Sequence, residues 1–238
     1  MSASPNDPYP WQEPADPITR GAFIVIEGLD RAGKTTQVKR ICDRLYASGH
    51  NVKTIRFPDR TSPIGSMIDR YLQSALEMDD HAIHLLFSAN RWEKAKWIRN
   101  TLASGSTIVC DRYYYSGMVY SAAKQNPSLS LSWAQSPDAG LPKPDVVVFL
   151  DLEAEEAEKR GGYGEEKYEK RDMQMRVREL FLALLEGEGD EKGMRVVNAG
   201  AGVDVVGERI WKEVEGVVRA VSEGSHGKEL DCVRAWKS

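Results

Sequence analysis

Gly28-Leu29-Asp30-Arg31-Ala32-Gly33-Lys34-Thr35 restricts what this chain can fold into more than any other stretch, because it fits the phosphate-binding template Gly-x4-Gly-Lys-[Ser/Thr]. Such a loop works between a strand and a helix, and both patterns surround it. An apolar run at residues 23–26 precedes it. Val38, Ile41, Cys42, Leu45 and Tyr46 follow at the spacing of one buried helix face, stopped by Ser48-Gly49. A chance match is expected in roughly one sequence in a hundred of this length, and the flanking pattern lowers that further. The loop aims backbone N–H groups and a lysine at nucleotide phosphates, so the chain handles a nucleoside triphosphate.

From Gly21 onward strand-like and helix-like patterns alternate, the signature of an α/β domain whose parallel sheet carries helices on both faces. Five strands are expected, at residues 22–27, 52–57, 107–110, 146–150 and 194–197. Between the second and third, Ile64, Ile68, Tyr71 and Leu72 behind Pro63 mark one helix; an Asp79/Asp80 cap opens a longer one through Leu86, Trp92 and Ile98 to Gly105. Residues 126–144, rich in Pro, Ser and Gly, read as a surface connection. Residues 153–186 look helical on both sides of Gly161-Gly162-Tyr163-Gly164, a hinge candidate because glycine costs a helix about 1 kcal/mol per residue. A last helix carries Val206, Ile210, Val214, Val217 and Val221. The domain is therefore expected over residues 21–223, with a small lid at 160–172, a disordered proline-rich arm at 1–20 and a loose tail at 224–238.

With 238 residues, 41% of them hydrophobic, the chain can bury the core of one such domain. Its net charge of −4 argues against a general nucleic-acid binder, which needs a basic surface to displace counterions. Cys42, Cys110 and Cys232 are odd in number and far apart, so neither a disulfide framework nor a zinc site is suggested and a reducing compartment is the plain reading. The first twenty residues lack the apolar segment of a signal peptide, and the longest apolar run, residues 146–150, is too short to cross a bilayer.

In open parallel sheets, ligands bind at the carboxyl ends of the strands. Lys34 is placed to reach the β- and γ-phosphates, and Thr35 to put its hydroxyl on Mg2+. Asp111 follows the third strand, where an aspartate beside a phosphate loop holds magnesium directly or through water; elsewhere it would be a turn residue. Arg60 and Arg112 bring two planar cations to the same edge, suited to bidentate capture of a second phosphate group. Phe87 and Arg91, at i and i+4, can offer a ring and a forked donor to a heterocycle, although on spacing alone core plus rim is the commoner fate of such a pair. No Asn-Lys-x-Asp quartet exists to read guanine.

Taken together, Glu27-Gly28-Leu29-Asp30-Arg31-Ala32-Gly33-Lys34-Thr35-Thr36-Gln37, Arg56-Phe57-Pro58-Asp59-Arg60, Leu85-Leu86-Phe87-Ser88-Ala89-Asn90-Arg91-Trp92-Glu93 and Asp111-Arg112-Tyr113 resemble thymidylate kinases of the eukaryotic type. The resemblance continues through Gly140-Leu141-Pro142-Lys143-Pro144-Asp145 to Tyr168 and Gln174. It implies the three-layer P-loop kinase fold and transfer of the ATP γ-phosphoryl group to dTMP, giving dTDP and ADP for dTTP synthesis, with Mg2+ as cofactor. It also implies a homodimer, a cytoplasmic location with the nucleus left open, and no nucleic-acid or membrane partner.

On the same resemblance, Gly28, Leu29, Asp30, Arg31, Ala32, Gly33, Lys34, Thr35 and Thr36 would surround the ATP phosphates, and Arg160 would flank adenine. Asp30 would hold the sugar 3′-hydroxyl, Arg60 and Arg112 the acceptor phosphate, and Thr35 and Asp111 the magnesium. Phe87 would stack on thymine, Arg91 would donate to its O4 edge and Phe57 would lie beside the 5-methyl. Gly117 and Tyr120 would line the deoxyribose side, Tyr120 being a departure from relatives with phenylalanine there. Tyr168 and Gln174 would close over the substrate from the lid. Lys34, Arg31, Asp111 and Arg112 would be catalytic. Arg31 places the chain with relatives whose catalytic arginine sits in the loop, although Lys167, Lys170 and Arg171 leave a share for the lid. Two alternatives stay open: a kinase for another pyrimidine monophosphate, and a nucleotide-binding module without catalysis.

Overall fold

Uninterrupted apolar runs become inner strands, and polar-interrupted ones become edges. β1 (Phe23–Gly28) and β3 (Thr107–Asp111) are buried throughout and β4 (Val146–Asp151) nearly so, whereas β2 (Val52–Arg56) and β5 (Met194–Asn198) are partly open to solvent. A computed structural model, describing residues 19–158, 160, 166–186, 194–227 and 229–235, orders the strands β2-β3-β1-β4-β5 with every pairing parallel. Phe23 pairs with Ile108 and Ile24 with Val146. The chain leaves β1 toward one edge and later crosses to β4 on the other, so a crevice opens at the carboxyl ends of β1 and β3.

Successive β1 residues face opposite layers, as a strand's period of two requires. Phe23 and Val25 pack with Ile98 and Leu102 of α3 (Asp80–Ala103), Met118 of α4 (Tyr114–Ala122) and Phe181 of α7 (Arg171–Glu186). Ile24 and Ile26 pack with Val38, Ile41 and Leu45 of α1 (Lys34–Ala47) and Ile210 and Val214 of α8 (Val203–Ser222). Helix starts obey local chemistry. Ser62 accepts the Gly65 N–H at 3.0 Å ahead of α2 (Pro63–Leu72), and Asp79 accepts the His81 N–H at 2.9 Å ahead of α3.

Residues 126–144 are not the surface connection that their composition suggests. They form α5 (Leu131–Gln135) and a 3-10 turn (Ser136–Asp138), with Leu129, Ala134, Asp138 and Leu141 buried. Ser130 caps α5, accepting the Trp133 N–H at 3.2 Å, and Pro137 stands in the first turn of the 3-10 segment, while the apolar residues between them join the core.

The tail is not loose where it is described. Cys232 forms an antiparallel bridge to Pro142, and Val233 is 4% exposed in the same core cluster as Leu141. Two apolar residues three apart, Leu230 and Val233, are too few to register as a periodic pattern. At the other end, Arg20 forks onto Asp145 at 2.7 and 2.8 Å, so contacts of the domain begin before Gly21. The arm up to residue 18 and the hinge candidate Gly161-Gly162-Tyr163-Gly164 lie outside the described residues; α6 (Ala154–Glu158) and α7 stand on either side of the latter. Among the described residues no helix is long and apolar enough to cross a membrane.

Candidate active site

The loop after β1 is shaped by backbone that side chains resist. Gly28 and Gly33 have φ of 150° and 89°, and a Cβ on Gly28 would stand 2.9 Å from the Leu150 carbonyl oxygen. Leu29 and Ala32 are buried and anchor the loop from below. Lys34, the first residue of α1, is 6% exposed and donates from Nζ to the Leu29 carbonyl. Burial and the neighbouring Arg112 pull its pKa down to about 7, although Asp30 and Asp111 oppose them.

Thr35 Oγ1 donates to Asp111 Oδ2 at 2.8 Å. The other oxygen, Asp111 Oδ1, is buried with no hydrogen-bond partner among the described residues. An unpaired carboxylate oxygen is costly in such a place, which makes it a natural ligand for a cation. Arg160 spans the Arg31 carbonyl at 3.2 Å and the Ala199 carbonyl at 2.8 Å, so it borders the loop.

Arg112 begins the turn after β3 with φ 67°, its N–H bonded to the Ile26 carbonyl at 3.0 Å. Its guanidinium donates to the Gly28 carbonyl at 2.8 Å and to Ser116 Oγ at 3.2 Å, and pairs with Asp30. Burial pushes the Asp30 carboxyl upward, but Arg112 and Lys34 outweigh it and hold its pKa below the ordinary value. Asp30 Oδ2 also accepts from Gln174 Nε2 at 2.8 Å and the Tyr120 hydroxyl at 3.2 Å. Gln174 accepts the Asp30 N–H at 3.0 Å and donates to the Tyr168 carbonyl at 2.9 Å. Gln174, expected against the substrate, here spends its amide on Asp30 and the Tyr168 carbonyl.

Glu27 has no part in the sequence reading beyond its motif. It is fully buried, and its carboxylate accepts the N–H groups of Tyr113 at 2.9 Å and Ser116 at 3.2 Å. Burial lifts its pKa despite those bonds. It ties the Asp111-Arg112-Tyr113 turn to β1. Asn90 does the same for the turn after β2, accepting the Asp59 N–H at 2.7 Å and donating to the Asp59 carbonyl at 3.1 Å. Arg60, beyond that turn, pairs with Asp69 at 2.6 Å and Glu166 at 2.8 Å.

Arg91 is anchored from a direction that the sequence did not disclose. Its Nε and Nη2 donate to Asp138 at 3.0 and 2.7 Å, and the side chains of the pair are 3% and 0% exposed. Ser88, one turn earlier on α3, donates to the same carboxylate at 2.8 Å. Nη1 takes no part in the fork. A Cβ on Gly117 would lie 2.7 Å from the Arg91 Nη2, so only glycine lets the guanidinium rest against α4.

These walls surround one cavity of about 430 Å3, the size of a small-molecule site. Asp30, Arg31, Gly33, Lys34, Thr35, Thr36 and Arg160 line it together with Phe57, Arg60, Phe87, Arg91, Arg112, Gly117, Tyr120 and Tyr168. Gly28, Leu29, Ala32, Asp111 and Gln174 stand behind that surface. Glu166 and Glu169 line it too, and no motif announced them. Lys167 and Arg171 of the lid instead pair with Glu77 and Glu155, each at 2.7 Å.

A phosphate loop that shares one cavity with a second set of arginines and a ring–guanidinium pair defines a P-loop nucleoside monophosphate kinase. Comparison with known proteins narrows the class. A family model for thymidylate kinase matches residues 26–210. Human thymidylate kinase is 42% identical over 209 residues, covering 88% of this chain and 97% of that protein. The Schizosaccharomyces pombe thymidylate kinase is 46% identical over 182 residues, 76% of this chain and 85% of the relative. A solved thymidylate kinase from Candida albicans superimposes with a TM-score of 0.78 at 38% identity, covering 90% of this chain and 98% of its own. The chain belongs to the thymidylate kinase family.

Proposed function

We propose that the chain performs its family's reaction, transfer of the γ-phosphoryl group of ATP to dTMP with formation of dTDP and ADP, and that the cavity residues divide into a donor and an acceptor half. The observation that carries this reading is the shared cavity, in which Lys34 and Thr35 face the same space as Arg60, Arg112, Phe87 and Arg91. A phosphate monoester has a second pKa near 6, so dTMP is already a dianionic nucleophile at pH 7 and needs no strong general base. Two anions must nevertheless meet in line. Catalysis then consists of alignment and cancellation of charge.

Lys34 and Arg31 would neutralise the transferring group, while Arg112 and Arg60 exchange Asp30, Asp69 and Glu166 for the acceptor phosphate. Phe87 stacks on thymine, Arg91 reads its O4 edge, and Asp30 with Tyr120 meets the sugar. Thr35 and Asp111 fit a magnesium ion, since a hydroxyl and a buried carboxylate with an unpaired oxygen are hard donors. Bound there, Mg2+ supplies charge neutralisation at the phosphates. The three free thiols fit a reducing, cytoplasmic compartment. Met67, Leu85 and Trp92, exposed on α2 and α3, suit a homodimer contact that light scattering would detect.

Turnover of Mg-ATP with dTMP, dUMP, dCMP, UMP and dGMP tests the reading. Equal or better use of another nucleotide would overturn the specificity, and ATP binding without ADP formation would favour a binding module. A broader pyrimidine kinase has one observation behind it: the Candida albicans relative is described for broad substrate specificity. One methyl group contributes only about 1–3 kcal/mol to discrimination.

A further inference from the structure

The described tail lies beyond residue 210, where the family match ends, yet it is tied to the base-reading end of the cavity. Its backbone clamps the segment that carries Asp138. Gly140 N–H donates to the Val233 carbonyl, Val233 N–H to the Leu141 carbonyl and Lys143 N–H to the Asp231 carbonyl, all at 2.8 Å. Gln135 Nε2 reaches the Arg234 carbonyl at 3.2 Å. Val233 enters the core beside Leu141. The 3-10 turn between these anchors presents Asp138, and Leu141 N–H returns to the Asp138 carbonyl at 3.1 Å.

We propose that residues 229–235 form a strap that fixes Asp138, and through it the guanidinium of Arg91, so that this C-terminal segment sets affinity for the nucleoside monophosphate. Asp138 and Val233 are positioning residues. The physical case is one of freedom removed. Ser88, Trp92 and Arg99 of α3 hold the turn by the Pro137 and Gly140 carbonyls, and the tail adds the Gly140 and Lys143 N–H groups on the far side of Asp138 from Gln135, so the carboxylate is fixed from both sides. Without the strap, Asp138 and Arg91 would still attract each other but would sample more than one geometry, and the donor aimed at the base would be less often in place. Among the described residues the donor half has no hydrogen bond to the strap. Linkage adds a reciprocal effect: a monophosphate that binds the fixed Arg91 must also stabilise the strap.

The proposal rests on the reading of Arg91 as the base contact, and the test separates the two. Full-length Val233→Asp puts a carboxylate into an apolar seat and should release the strap, seen as lost hydrogen-exchange protection at the Gly140 and Lys143 amides. The expected result is a dTMP KM raised about 3–10-fold with ATP KM and kcat held within about twofold. Val233→Ile should behave as the parent, and dTMP, but not ATP, should slow exchange at the Val233 amide. In an Arg91→Ala background, Val233→Asp should add nothing further. An unchanged dTMP KM after the strap is released, a parallel rise in ATP KM, or an undiminished effect in the Arg91→Ala background overturns the strap's role. If Arg91→Ala alone leaves dTMP KM unchanged, it is the base-reading role that fails. Should Val233→Asp not fold, Val233→Ala decides the matter on the same readouts with an expected rise of about twofold.

Discussion

The phosphate loop and the proposed base pocket are built on opposite principles. Residues 28–35 make their site from consecutive backbone, with positive φ at Gly28, Arg31 and Gly33 and a helix beginning at Lys34. The proposed base pocket joins Arg91 to Asp138, 47 residues away, and the proposed sugar site beside it joins Asp30 to Gln174, 144 residues away. A local site keeps its shape as long as its strand and helix exist. A dispersed site is only as well formed as the packing that brings its parts together.

The sharpest break in that comparison should come from the local site. Lys34→Ala removes the buried cation beside the transferring phosphate, and kcat should fall about 10³-fold with dTMP KM little changed. A proportionate rise in dTMP KM would show that the two halves are not separable.

Next in size is a stability effect in the dispersed site. Breaking a desolvated pair leaves an uncompensated charge, so Asp138→Ala should cost about 3–5 kcal/mol in denaturant unfolding. Arg60→Ala, whose side chain is 35% exposed in its ion pairs, should cost less than about 1 kcal/mol. Equal costs would mean that water reaches Asp138.

Arg91→Lys keeps the charge but loses the fork, and dTMP KM should rise about tenfold while kcat stays within about threefold. Loss of kcat alone would move Arg91 from recognition to catalysis.

The smallest effect concerns pH and the donor half. Burial and Arg112 hold the Lys34 pKa at about 7, whereas bound phosphates would favour the ammonium and raise it. ATP affinity is therefore complete below pH 7 and weakens as pH rises through it, by roughly fourfold between pH 6 and 7.5. Calorimetry in two buffers of different ionisation enthalpy at pH 8 should show uptake of about one proton on ATP binding, vanishing near pH 6. Proton release, or no exchange at pH 8, would refute the assignment.

The legibility of the two regions follows the same division. Strand positions, the loop, the cap at Asp79 and the family motifs are properties of neighbours in sequence, so periodicity and spacing reveal them. Residues 126–144 misled because Pro, Ser and Gly punctuate buried turns as readily as exposed ones. Asp138 sits there without periodicity, and nothing in its local sequence points to a guanidinium on another helix. The family resemblance sets Gln174 near the substrate, and only the fold shows its amide on Asp30. Glu27 lies in an apolar strand whose alternation does not say which polar groups await it.

By itself the sequence determined the layered parallel fold, the phosphate-loop motif and the family, because these depend on backbone conformations and hydrophobic periods that a few adjacent residues impose. Only the tertiary structure decided which carboxylate holds Arg91, which amide holds Asp30, and that the tail is strapped across residues 135–143. Those are choices among many distant partners, settled by the side chains that packing leaves buried and in need of a hydrogen bond.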